Sequence, residues 1–198
     1  MSQAQYDWTT WLKRWNTLLI EKLDPDDYPY YEPGVIQAVR SGWLGSEASS
    51  QEQIEELETR LGKVLPPSYR QFLRVSNGFQ QPGMLVPRLL SCRDVDWLHV
   101  IEKDSFDSWL TWRAQELSRT EQRGDDTRFF LQHIESMVVI SEKEVSGSAR
   151  YLLNAARAGT DGEWEAYHYA HWRPGAIRFA SFWHLMQREL DYLLSFVD

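Results

Sequence analysis

Apolar positions follow a helical period near the N-terminus and alternate in the last third of the chain. Trp8, Trp11, Leu12, Trp15, Leu18 and Leu19 predict an amphipathic helix that ends before Asp24-Pro25. Pro33 opens a helical turn through Val35, Ile36 and Val39, which Gly42 ends. Ser50-Gln51-Glu52-Gln53 has the form of a capping box, and Ile54, Leu57 and Leu61 then share one face up to Gly62. In "LPPSYRQFLRVSNGF", residues 65 to 79, two prolines suit only the first turn of a helix. Tyr69, Phe72 and Leu73 form its buried stripe, and Asn77-Gly78 is expected to close it.

Beyond Gly78 the pattern changes. Leu85-Val86 and Leu89-Leu90 suggest short strands, and the spacing of Ser91 and Asp94 predicts an N-terminal cap for a helix through Val95 and Leu98. Phe106, Trp109, Leu110 and Leu117 predict another helix, followed by the polar run "SRTEQRGDDTR" as an exposed loop. Strands are expected at Met137 to Ile140, Arg150 to Asn154 and Glu163 to Tyr169, with antiparallel pairing. In the last of these, Trp164, Ala166 and His168 face one way, and Glu165, Tyr167 and Tyr169 the other. A short strand around Ile177 and Phe179 follows Pro174-Gly175. Ser181 then caps a final helix that turns Leu185, Met186, Leu190, Leu193, Leu194 and Val197 inward. The expected architecture is α+β, an antiparallel sheet flanked by helices, with an N-terminal helical extension over residues 1–42 and the main domain over 43–198.

Composition narrows the function. Ten Trp, nine Tyr and eight Phe supply large anchors for a packed core, so the chain is expected to fold as one domain with its extension. A net charge of −8, from 29 acidic and 21 basic residues, argues against nucleic-acid or anionic-membrane binding, both of which need a clustered positive field. Cys92 is the single cysteine and the N-terminus lacks a basic, apolar leader, which together predict a cytoplasmic location.

Candidate chemistry is sparse. The chain has no H-E-x-x-H, C-x-x-C, G-x-S-x-G or Walker pattern, so no catalytic residue, metal ligand or cofactor is predicted. Structural roles account most simply for Cys92 near a helix start, the His168/His171 pair, His184, and the carboxylates Asp94/Asp96 and Asp161/Glu163. What exceeds a bland reading is the interleaving of Asp24, Asp26, Asp27 and Glu32 with Tyr28, Tyr30 and Tyr31. Rigid aromatic area combined with negative charge is what a surface for a basic protein offers. Glu163, Glu165 and Tyr167, with Tyr169, form a second candidate partner-binding face.

Two longer stretches carry a family resemblance. "GWLGSEASSQEQIEELETRLGKVLPPSYRQFLRVSNGF", residues 42 to 79, is similar to the opening of the SUKH superfamily, which includes the Smi/Knr cell-wall regulators of yeast and many bacterial immunity proteins. "YLLNAARAGTDGEWEAYHYAHWRPGAIRFASFWHLMQREL", residues 151 to 190, resembles the closing strands and helix of its longer bacterial members, with Asn154-Ala155 where relatives often have Asn-Pro. The resemblance implies helices packed on an antiparallel sheet and a binding role without catalytic apparatus. It further implies an immunity protein that occupies a basic toxin domain, a nuclease or deaminase, with a cytosolic regulatory or scaffold protein as the alternative. An unrecognised hydrolase built on Cys92 or the histidines is the third possibility, and it requires those side chains to converge in a cleft.

Overall fold

The computed structural model describes residues 5–23, 33–80, 87–118, 130–143, 149–170 and 176–195. Helix α1 spans Trp8–Glu21, and the Asp7 side chain starts it by accepting a hydrogen bond from the Thr10 N–H at 3.0 Å. Helix α2 covers Pro33–Ser41, with Gly42 beyond its end at a φ of 75°. Helix α3, Gln51–Leu61, has the full reciprocal capping box of Ser50 and Gln53, and Gly62 closes it in the left-handed conformation. Helix α4 is Pro67–Leu73, with Pro66 as its N-cap.

Helix α4 stops earlier than its sequence suggests. The chain leaves it at Arg74, and Asn77 spends no positive φ on a cap; its Oδ1 instead accepts the Cys92 N–H at 2.7 Å. Gly78 alone takes the left-handed conformation, at φ 92°, where a Cβ would lie 2.9 Å from the Leu89 carbonyl oxygen. The tripeptide is therefore a bracket between two segments rather than a helix cap.

A second difference follows it. Ser91 and Asp94 do not start a helix, because the Ser91 hydroxyl donates to the Asp94 carboxylate at 2.6 Å. The Arg60 guanidinium meanwhile draws the carbonyls of Cys92 and Val95 toward α3, at 2.5 and 2.8 Å. Carbonyls held this way cannot point along a helix axis. The segment makes a turn, then strand β1 (Asp96–Trp97), and only then helices α5 (Leu98–Ile101) and α6 (Lys103–Ser118). Leu89 forms single bridges to Phe79 and Ser141 rather than a strand, and Leu85-Val86 lie outside the described residues.

A 3-10 turn at Ile134–Ser136 leads into β2 (Met137–Val139), followed by β3 (Ala149–Ala158), β4 (Trp164–Ala170), β5 (Ala176–Phe179) and α7 (Phe182–Leu194). The five strands form an antiparallel sheet in chain order. Opposed residues share a face, so the pairs Asn154/Glu165, Arg150/Tyr169 and Tyr167/Arg178 place all six side chains on one face of the sheet. His168 belongs to the opposite face and meets Glu189 of α7 at 3.1 Å, while Tyr169 lies under Trp109 of α6 and stacks on Phe130 at 5.0 Å. The sheet is thus covered on both sides, as an α+β layered fold requires.

A cluster of aromatic rings joins α1, α4 and α7. Trp8 stacks on Phe182 at 5.2 Å and meets Phe72 and Trp183 edge-on at 5.5 and 4.8 Å, and Tyr69 and Phe72 complete the ring cluster. The N-terminal helix is therefore part of the core: Trp8, Trp11, Leu12, Trp15 and Leu19 are all buried in it.

Candidate protein-binding surface

The acidic and tyrosine-rich residues Asp24, Asp26, Asp27, Tyr28, Tyr30, Tyr31 and Glu32 lie outside the described residues. The other three predicted contacts, Glu163, Glu165 and Tyr167, separate into two environments.

Glu163 is only 4% exposed and stands just before β4. One carboxylate oxygen accepts the Ser68 N–H at 2.7 Å and the Tyr6 hydroxyl at 3.0 Å, and the other accepts the Ser68 hydroxyl at 2.6 Å. The Trp8 indole N–H donates to the Ser68 carbonyl at 2.8 Å, so the same node anchors α1 to α4. Three donors replace the water lost on burial, which is the condition for keeping a carboxylate inside. Burial, then the charge of Glu163, pushes the Tyr6 phenol well above its ordinary range. The Glu163 charge faces the interior, and the expectation that it meets a partner on the sheet face gives way to this internal role. The turn at Gly162, φ 81°, lies two residues before β4 begins, so Glu163 is outside the strand whose alternation would have turned it to the sheet face.

Glu165 and Tyr167 do come together. The Tyr167 hydroxyl donates to Glu165 Oε2 at 2.7 Å and accepts from Asn154 Nδ2 at 3.4 Å, while Asn154 Oδ1 accepts from the Ser136 hydroxyl at 2.8 Å. The ring of Tyr167 is fully buried, so this chain of bonds reaches water only at its two partly exposed ends, Ser136 and Glu165, the latter 3.8 Å from Arg157. Burial, then the positive charge of Arg157, lowers the His133 pKa, with Glu165 opposing. Strand alternation predicted the shared face of Glu165 and Tyr167. It does not report how deeply a helix covers it.

The remaining candidate groups are dispersed. Cys92 is buried, its Sγ is 3.2 Å from the Ser49 hydroxyl, and burial pushes the thiol pKa up, which disfavours the thiolate a nucleophile needs. His168 pairs with Glu189, His184 with Ser181, and His99 stacks between Trp97 and Phe106. None of these imidazoles is bonded to Cys92, and His171 lies outside the described residues. Asp94 bonds Ser91 and Asp96 lies 3.5 Å from Arg60, so the two do not converge on a common point. Among the described residues, no group of three or more His, Cys, Asp or Glu side chains could hold a metal ion, and no helix is long and apolar enough to cross a membrane.

Sequence reasoning passed over the corner between α5 and α6. A groove of about 680 Å³ lies there, lined by His99, Lys103, Asp104, Phe106, Asp107 and Glu135. Val100 is 51% and Ile101 38% exposed on the adjoining turn. The sequence pattern gives little sign of it, because α6 is only weakly amphipathic, and the exposure of its Trp112 is visible only in the fold.

A sequential antiparallel sheet covered by helices on both faces defines an α+β domain. The chain belongs to the SMI1 / KNR4 family (SUKH-1), whose profile matches residues 48–188. No curated protein matches it closely enough to add a relative. Helix α1 falls outside the matched span although its tryptophans fill the same core.

Proposed function

We propose that this chain is a non-catalytic protein-binding domain that acts as a bacterial immunity protein, neutralising a basic toxin domain such as a nuclease or deaminase by stoichiometric occupation. Membership of the SUKH family is the observation that carries this reading. The net charge of −8 supports it, because opposite charge accelerates capture of a basic partner before damage is done. The partner-binding face includes Asp24, Asp26, Asp27, Tyr28, Tyr30, Tyr31 and Glu32, with Glu165 as the accessible acid on the sheet. Residues 1–42 act as an extension of the 43–198 domain, bound to it through the α1 tryptophans. A hydrolase built on Cys92 has no support in a buried thiol without a neighbouring base.

A second reading, a regulatory or scaffold interaction protein, is favoured by the description of the matched family, which is that of the SMI1 and KNR4 proteins. Co-expression with the product of the neighbouring toxin-like gene separates the two. The immunity reading expects restored growth and a co-purifying one-to-one complex; loss of both would leave the regulatory reading standing. Within a working pair, changing Asp24, Asp26 and Asp27 to lysine is expected to slow association at low salt while leaving the melting temperature unchanged.

A further inference from the structure

Large apolar side chains exposed among the described residues are few: Val64, Val100, Ile101, Trp112 and Tyr192. Three of the five lie on α5 and α6, the two helices that also supply most of the groove lining described above. Its floor is aromatic, with Phe106 and His99 5.7 Å apart at their ring centres. Asp104 and Asp107, one helical turn apart on α6, are exposed and carry no ion pair among the described residues. Glu135 is bonded to Arg113 at 2.6 Å, and among the described residues of the lining Lys103 is the permanent cation.

This corner is held rigidly. Glu102, at the junction of the two helices, accepts Arg150 of β3 at 2.7 Å and Lys143 at 2.9 Å, and its carbonyl takes the first N–H groups of α6. Trp109 lies against Tyr169 of the sheet. An aromatic floor, unpaired acids on the rim and an exposed apolar lip on a fixed scaffold are the complement of one side chain in particular. Arginine lays an apolar stem and a flat, weakly hydrated cation against aromatic rings while its guanidinium reaches carboxylates.

We propose that the groove between α5, α6 and the Ile134–Ser136 turn receives an arginine-bearing segment of a basic protein partner, with Asp104 and Asp107 holding the guanidinium and Val100 and Ile101 covering the flanking apolar residues. This deepens the protein-binding reading above and rests on it. It adds a contact surface in the middle of the chain to the acidic segment near the N-terminus.

The test uses the full chain labelled with 15N and a nine-residue synthetic peptide containing three arginines and two leucines, compared with the same peptide carrying citrulline for arginine. Shifts are expected at residues 98–107 and 133–136 with the arginine peptide, to be largely lost with citrulline, and to need about tenfold more peptide in the Asp104→Lys/Asp107→Lys variant. Val100→Ser is expected to weaken binding less, and the β-sheet resonances of both variants should be unchanged. Shifts confined to residues 24–32, equal binding of the citrulline peptide, or unaltered affinity in the double variant would each overturn the proposal. In the growth assay, failure of the unsubstituted chain removes the immunity reading while the peptide map still decides on the groove. Full rescue by the double variant removes the groove alone.

Discussion

The α1–α4–α7 junction and the α5–α6 corner are both rich in aromatic and charged residues, yet they use them in opposite ways. At the junction, Trp8, Tyr69, Phe72 and Phe182 are essentially inaccessible, and the buried carboxylate of Glu163 has its oxygens engaged by Ser68 and Tyr6. At the corner, Val100 and Trp112 face water and Asp104 and Asp107 have no ion pair among the described residues. Burial with full hydrogen bonding adds to stability, whereas exposed apolar area and free charge add nothing to it and remain available to another molecule. The difference separates what the chain needs in order to fold from what it has free to bind with.

Phe72→Ala breaks the comparison hardest. The ring is 0% exposed and touches Trp8, Tyr69 and Phe182, so its removal leaves a cavity that three rigid neighbours cannot fill. A loss of about 3–5 kcal/mol in denaturant unfolding is expected. A loss below ~1 kcal/mol would mean that the junction is not the closed core described here.

Glu163→Ala acts on the same junction by another route. It strands the Ser68 N–H and hydroxyl and the Tyr6 hydroxyl in a buried space, at a cost of about 1–3 kcal/mol in unfolding free energy. Glu163→Gln, which keeps the shape and one acceptor oxygen, should recover part of the loss. Equal stability of the alanine variant and the natural chain would show that the carboxylate does not join α1 to α4.

The junction was legible in the sequence because its signals are local. Helical spacing of tryptophans in α1, the proline pair of α4 and the Ser181 cap of α7 each fix a short segment whatever surrounds it. The bracket at Asn77-Gly78 was misread because its purpose is a contact 15 residues away, the Cys92 N–H, and no local pattern records such a partner. Ser91 and Asp94 failed as a cap for the same reason, since Arg60 reaches across from α3 to take the carbonyls. Glu163 looked like a surface acid because acids usually are, and only the fold brings Ser68 to it across 95 residues. The corner escaped notice because its distinguishing property is exposure, and hydrophobic pattern reports exposure only where a helix is clearly amphipathic, which α6 is not.

Val100→Ser sharpens the comparison from the other side, and its expected effect on folding is the smallest. Half of this side chain already faces water, on a one-turn helix whose position is set by Leu98 in the core and by the Glu102 ion pairs rather than by Val100. Exchanging it for serine removes little buried area, so the change in unfolding free energy should stay within about 0.5 kcal/mol. A partner that covers the lip of the groove would lose that apolar contact, so binding should fall while the melting temperature holds. A clear loss of stability with unchanged binding would place Val100 with the core residues and dissolve the distinction between the two regions.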